Sequence, residues 1–268
     1  METLVTAAIL GLVEGLTEFL PVSSSGHLII ASDLLDFSGP RSATFSVVIQ
    51  VGAMLAVMAL YWKRFLGLLF PKKDAAFSGL RGIMLLVFTT IPGAALGLLL
   101  HGFIKSLFSP LSVSVALVGG AILMLAVERW IAGHQDSMNV DSIDQLTVRQ
   151  AFGIGCFQCL ALWPGFSRSA STIMGGMILG VRREVAAEYS FIAAVPIITG
   201  AAGYDLLKSL SLFTTADLPF FFVGSFMAFI SAIFAMRGFV RLLGSCTLKP
   251  FAWYRIFLAL PVYWFLAS

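Results

Sequence analysis

The sequence predicts an all-α polytopic membrane protein, built as an inverted-topology repeat of about six transmembrane helices plus two re-entrant helical pairs. Three observations predict it. Of 268 residues, 59% are hydrophobic and only 12% charged, with mean hydropathy +0.95; a soluble domain carries about twice that charged fraction. A weak internal repeat sets Pro164 against Pro21, an offset of about 143. Lys and Arg, finally, gather in particular loops rather than spreading along the chain. The length leaves room for one membrane domain over 1–268 and for no sizeable soluble domain.

The elements follow in order. Residues from about 4 to 20 are apolar with a helical pattern, and Gly11 and Gly15 stand in a GxxxG spacing that permits close helix contact. Met1-Glu2-Thr3 offers no basic region of the kind that opens a signal peptide, so this segment is expected to be retained. Pro21 breaks the run, and a second short helix is expected from about Gly26 to residue 35, completing a re-entrant pair. After a polar turn come spans at about Phe45–Trp62, Gly82–Leu100 and Leu111–Trp130. Residues 1–132 form the first repeat, 133–147 a polar linker, and 148–268 the second repeat, with a break at Pro164 and spans at about Ala187–Leu207, Leu218–Met236 and Phe251–Leu266. Cys156 and Cys159 form a lone CxxC inside an apolar run and are expected to pack rather than to bind metal.

Orientation follows from the positive-inside rule. Lys63, Arg64, Lys72, Lys73 and Arg81 fill the loop after the first span, so that span runs from outside to inside. Arg182 and Arg183 precede the equivalent span of the second half, which therefore starts inside; Arg237, Arg241 and Lys249 agree. Equivalent spans run in opposite directions, and both chain ends are expected outside. Membrane proteins built this way often place their sites where interrupted helices meet.

The two breaks carry the chemistry. The first reads EGLTEFLPVSSSGH, Glu14 to His27. Glu14 and Glu18 are four apart and share a helix face. Ionisable groups at bilayer depth cost about 2.5 kcal/mol or more each, so they seldom lack a use. The second break reads WPGFSRSAS, Trp163 to Ser171. Serines at both helix starts can cap free N–H groups, and such a start is a ready phosphate cradle. Arg168 adds a planar, permanently charged fork suited to phosphate oxygens. If the broken helices cross, acids and imidazole from one meet a cation from the other. Plainer readings stay open: Ser23, Ser169 and Ser171 as caps only, His27 at a headgroup boundary, Arg168 as a structural partner of Glu14 or Glu18, and the acids as ion-coupling groups of a transporter.

At these motifs the sequence resembles the integral-membrane undecaprenyl-pyrophosphate phosphatases of the bacitracin-resistance type. EGLTEFLPVSSSGH at Glu14–His27 and CFQCLALWPGFSRS at Cys156–Ser169 carry the likeness, which extends over essentially the whole chain. Ala170 departs from it, standing where PGFSRSG has glycine; Ser25 keeps a hydroxyl where threonine is also common. The resemblance implies hydrolysis of undecaprenyl diphosphate to the monophosphate and inorganic phosphate. That reaction recycles the lipid carrier of cell-wall glycans and confers bacitracin resistance. It also implies a bacterial inner-membrane location, a site opening to the periplasm, and a divalent cation, Mg2+ or Ca2+, held by Glu14 and Glu18 with the diphosphate.

On that resemblance Arg168 binds the diphosphate, with Ser23, Ser25, Gly26, Ser167 and Ser169 as further substrate contacts. Ser24 is the candidate nucleophile with Glu18 or His27 as its base, and His27 the candidate acid for the leaving oxygen. Attack by water, or by His27, stays open. Expected partners are the polyprenyl diphosphate lipid and the bilayer, with no nucleic acid; the GxxxG pairs Gly11/Gly15 and Gly176/Gly180 serve packing within the chain or a homodimer. The rival phosphatidic-acid-type lipid phosphatases need a catalytic histidine after their Ser-Arg element, and none follows Arg168. A polyprenyl-phosphate carrier or flippase, or an ion-coupled transporter on the same fold, is the alternative from another class.

Overall fold

A computed structural model describes residues 3–37, 39–71, 75–107, 109–209 and 214–267. Met1, Glu2 and the loop charges Lys72 and Lys73 lie outside the described residues. Twelve α-helices are described: α1 Leu4–Thr17, α2 Ser24–Leu34, α3 Pro40–Leu60, α4 Trp62–Leu69, α5 Gly79–Leu99, α6 His101–Ser106, α7 Pro110–Ala132, α8 Val148–Gln158, α9 Arg168–Ile178, α10 Arg183–Ser209, α11 Leu218–Leu243 and α12 Lys249–Ala267. Five of them, α3, α5, α7, α10 and α11, are long and apolar enough to cross a membrane. The sixth expected span is present as the 19-residue α12 but is not among those five, and Arg255 lies in its interior. The short helices α4 and α6 were not expected.

The breaks explain themselves locally. Helix α1 ends at Thr17, and Glu18 still bonds back to the Glu14 carbonyl before the chain turns. Ser23 then adopts φ 72° and caps α2, its hydroxyl accepting from the Gly26 N–H at 3.4 Å. At the second break a 3-10 turn over Cys159–Leu162 leads through Pro164 and Gly165 to Ser167, which adopts φ 77° and caps α9, accepting from the Ala170 N–H at 3.3 Å. Both α2 and α9 have 11 residues, about 16 Å of helix, half of a hydrocarbon core. Helix α2 opens at Ser24, two residues before the expected start. Two residues separate Pro164 from its cap (Gly165, Phe166) against one after Pro21 (Val22), so the caps Ser23 and Ser167 stand at an offset one greater than the prolines.

Close packing accounts for the glycines that matter. A Cβ on Gly11 would stand 2.1 Å from the Gly224 carbonyl oxygen, and one on Gly15 2.3 Å from the Ala228 oxygen, so α1 lies with its backbone against α11. On Gly176 a Cβ would meet Ala186 at 2.8 Å, and Gly180 takes φ +82° beside the Ser137 carbonyl. Both GxxxG pairs are thus used for packing within the chain. Around them, α7 lies along α12, α3 along α10 and α11, and α5 along α8.

Ion pairs tie the helix ends. Arg41 at the start of α3 pairs with Asp217 before α11, and Arg64 beyond its end pairs with Asp144 of the linker at 2.7 Å. Asp144 also accepts from the Phe77 N–H, while Arg81 donates to the Asp144 and Leu146 carbonyls. The linker is therefore anchored rather than loose: Ile143 and Leu146 are fully buried, and Val140 bridges Val181. Nearby, Arg183 makes a two-pronged bond to Glu128, which also accepts from the Leu248 N–H.

Candidate active site between the two breaks

The helix that ends at Thr17 delivers two carboxylates to the interior. Glu14 is fully buried and Glu18 8% exposed. Because Glu18 keeps helical dihedrals as the residue closing α1, it stays one turn above Glu14, with the two carboxyls in electrostatic reach of each other and of Arg168. The turn brings Ser24, first residue of α2, back onto Glu18, and the Ser24 hydroxyl donates to Oε2 at 2.7 Å. From the other break, Arg168 donates through Nη2 to Glu18 Oε1 at 2.9 Å. Glu18 therefore joins a hydroxyl from one half of the chain to a guanidinium from the other. Breaking so buried a pair costs about 3–5 kcal/mol, because the partner is left charged and alone.

Arg168 is aimed by neighbours on α9 and α10. Its Nη1 donates to the Ser190 carbonyl at 3.0 Å and to the Ser190 hydroxyl at 3.1 Å, and Thr172 bonds both that hydroxyl and the Arg168 carbonyl. Its Nε is buried without a partner. A cavity of about 400 Å³ opens in front of these groups, lined by Glu18, Ser23, Ser24, Ser25, Ser167 and Arg168 together with Gln50 and Gln158. Apolar walls come from Ile104, Leu162, Ile197 and Ile198. A polar head against the arginine and an apolar remainder along the walls suit an amphiphile with an anionic end.

The other expected residues fall in different places. Ser169 is 1% exposed and donates to the Leu20 carbonyl at 2.8 Å, which pins the second break onto the first. Gly26 is buried off the cavity, serving as donor to the Ser23 cap. Ser171, at the foot of α9, bonds the Ser167 carbonyl. His27 is on the far side of the break: Nδ1 meets the Ser23 carbonyl at 2.8 Å, so that nitrogen carries a proton, and Nε2 meets the Tyr254 hydroxyl at 2.7 Å. It lines a second, mostly apolar cavity of about 560 Å³ with Leu20, Phe239 and Tyr254. The structure thus brings Glu18, Ser24 and Arg168 together, while the imidazole is engaged by Ser23 and Tyr254 and does not line their cavity.

Glu14 bears on a cation. No donor from the protein faces either of its oxygens, and the carboxyl beside it is that of Glu18, whose own oxygens are both engaged. No cluster of three or more His, Cys, Asp or Glu occurs among the described residues. Two carboxylates completed by phosphate oxygens would form the all-oxygen set that a hard divalent cation prefers; of the two, Glu18 lines the cavity and Glu14 lies buried behind it.

Several contributors escaped the sequence reading: Gln50, Gln158, Ser190, Thr172, Tyr254 and Arg255. The signal existed for two of them. Gln158 interrupts the apolar CFQCLALW run, and Arg255 is a charge inside an expected span, which is costly enough to ask for an explanation.

These features define a class, a multi-pass helical membrane protein with an acid–hydroxyl–guanidinium site between two broken helices. The model of the family described as Bacitracin resistance protein BacA matches residues 7–261, and the chain belongs to that family. It is 60% identical over 269 residues to a protein named Undecaprenyl-diphosphatase from Desulfovibrio desulfuricans, covering 100% of each chain. The protein of that name from Nitratidesulfovibrio vulgaris is 60% identical over 268 residues, again covering 100% of each, and the one from Lawsonia intracellularis 51% over 263 residues, covering 98% of each.

Proposed function

We propose that this protein hydrolyses undecaprenyl diphosphate to undecaprenyl phosphate and inorganic phosphate, recycling the lipid carrier for cell-wall glycans and so conferring bacitracin resistance. The continuous contact from Ser24 through Glu18 to Arg168 carries the reading. Glu18 draws the proton from the Ser24 hydroxyl as its oxygen bonds to the terminal phosphorus. The bridging P–O bond breaks, and undecaprenyl phosphate leaves with the electron pair. Water then opens the phosphoserine, releasing inorganic phosphate and restoring the hydroxyl. Arg168 stabilises charge on the transferred group throughout.

The position of His27 favours Glu18 over the imidazole as base. A phosphate monoester leaves with little need of an acid, its second pKa being about 6. His27 then acts by holding the Ser23 carbonyl, and with it the start of α2. A divalent cation, Mg2+ or Ca2+, would be held by Glu14 and Glu18 and would neutralise charge on the diphosphate. Ser23, Ser25 and Ser167 are the remaining contacts for phosphate oxygens.

In this reading residues 1–132 and 148–268 are inverted repeats joined by 133–147, in a bacterial inner membrane. Arg41–Asp217 marks the periplasmic end and the Arg64–Asp144 and Arg183–Glu128 pairs the cytoplasmic end. The matching φ of Ser23 and Ser167 supports the repeat. Phosphate release from undecaprenyl diphosphate in detergent, with and without EDTA, tests the function. Release that depends on metal and is lost in Ser24→Ala and Arg168→Ala is the expected result. A folded wild type that releases none would move the carrier reading to first place.

A further inference from the structure

Among the described residues Arg255 is the one fully buried arginine, and it sits in the interior of α12. Among the described residues no carboxylate pairs with it. Its Nη2 donates instead to two carbonyls at 3.2 Å, Ala116 on α7 and Gly165 in the second break. Nη1 rests on the Met124 sulfur at 3.6 Å, the Phe166 ring lies 5.8 Å from Cζ, and Nε has no partner. Helix α7 is cut to receive the group, since a Cβ on Gly120 would stand 2.2 Å from Nη2. On its other side Gly165, at φ +93°, is wedged so tightly that a Cβ there would meet the Val113 carbonyl oxygen at 2.7 Å.

A charge buried without a counter-ion is costly, and a helix gains nothing in packing from it that a methionine would not supply. What the guanidinium does supply is directional. It is the hydrogen-bond donor that reaches the Gly165 carbonyl, two residues before Ser167 and three before Arg168. Both of those residues sit at a strained start of α9, where Ser167 is held at positive φ. A shift of Gly165 therefore passes directly to the angle at which Arg168 reaches Glu18.

We infer that Arg255 is a positioning residue for the phosphoryl-transfer site, holding the second break through the Gly165 carbonyl so that Arg168 enters at a set angle. The inference rests on the phosphatase reading for its kinetic consequence but not for its structural one. Two measurements separate them. In hydrogen exchange, the peptide across 163–170 should exchange faster in Arg255→Gln than in wild type, with α5 and α11 unchanged. In phosphate release, Arg255→Gln should lower kcat by roughly 10- to 100-fold, with KM altered by less than about threefold, the mark of an interaction realised in the transition state. Arg255→Lys should recover part of the loss. In an Arg168→Lys background, Arg255→Gln should cost less than about threefold more, because coupled groups are not additive.

Losses that multiply in the double variant, or unchanged exchange across the break, would overturn the assignment. Gly120→Ala displaces the guanidinium without removing its charge and gives the same two readouts if Arg255→Gln does not fold. A wild type inactive in phosphate release would remove the phosphatase reading, and the exchange result alone would then decide the role of Arg255.

Discussion

The two breaks share a backbone and divide the chemistry. Ser23 and Ser167 take nearly the same positive φ, each caps an 11-residue helix, and each accepts from the N–H three residues on. Positive φ is unfavourable for a residue with a Cβ, so its recurrence at two serines marks a geometry both halves need. The first helical residue then differs: Ser24 in one, Arg168 in the other. The backbone geometry is alike while the side chain at that position is a hydroxyl in one break and a cation in the other. Supports differ as well. The first break is fastened by Ser169 reaching the Leu20 carbonyl, the second by Arg255 reaching the Gly165 carbonyl.

Replacing the divergent residues should produce the largest effects. Ser24→Ala is expected to lower phosphate release by about 10⁴-fold or more, since the nucleophile is gone. Survival of release would assign the attack to water or His27. Arg168→Ala should lower it by about 10³-fold, and Arg168→Lys should restore little, because a point charge cannot reproduce the fork held between Ser190 and Glu18. Both are read by phosphate release from purified protein whose thermal unfolding shows it folded.

The shared residues should behave as a matched pair. Ser23→Ala and Ser167→Ala each lose one cap, worth about 1 kcal/mol, visible as similar drops in melting temperature. Unequal drops would break the equivalence. The smallest effect concerns the linker between the halves. Partial burial pushes the Asp144 carboxyl up, but the Phe77 N–H, Arg64 and Ser142 outweigh it and hold it below the usual carboxylate range. A lowered folded-state pKa gives stability that is full above the unfolded value, about 3.9, and fades as pH falls through the folded one. Asp144→Asn should therefore cost about 0.5 kcal/mol at neutral pH, where solvent screens the partly exposed pair, and nothing at pH low enough to protonate both states. Melting curves across pH 2 to 7 in a tolerant detergent check this, and a cost independent of pH would contradict it.

Much of this was legible in the chain. Apolar runs give helices their existence in a bilayer, and a proline amid serines and acids announces a break. Glu14 and Glu18 could be put on one face because both lie within one helix and its last turn. The side on which His27 falls relative to Glu14 and Glu18 could not be read, because a residue at φ 72° directly before α2 resets the helical phase. Arg255 was visible as a charge within a span, but its acceptors are backbone carbonyls, which no side-chain pattern reveals. Helices α4 and α6 are too short for periodicity to separate them from loops.

Arg255 also bears on how the protein is made. Its acceptors, Ala116 and Gly165, and the Met124 sulfur all precede it in the chain. When the last helix leaves the ribosome, the groups that accommodate its charge have already been synthesised. An arginine within an apolar helix opposes partitioning into lipid until its acceptors surround it. Helix α12 therefore depends on α7 and the second break to accommodate its charge.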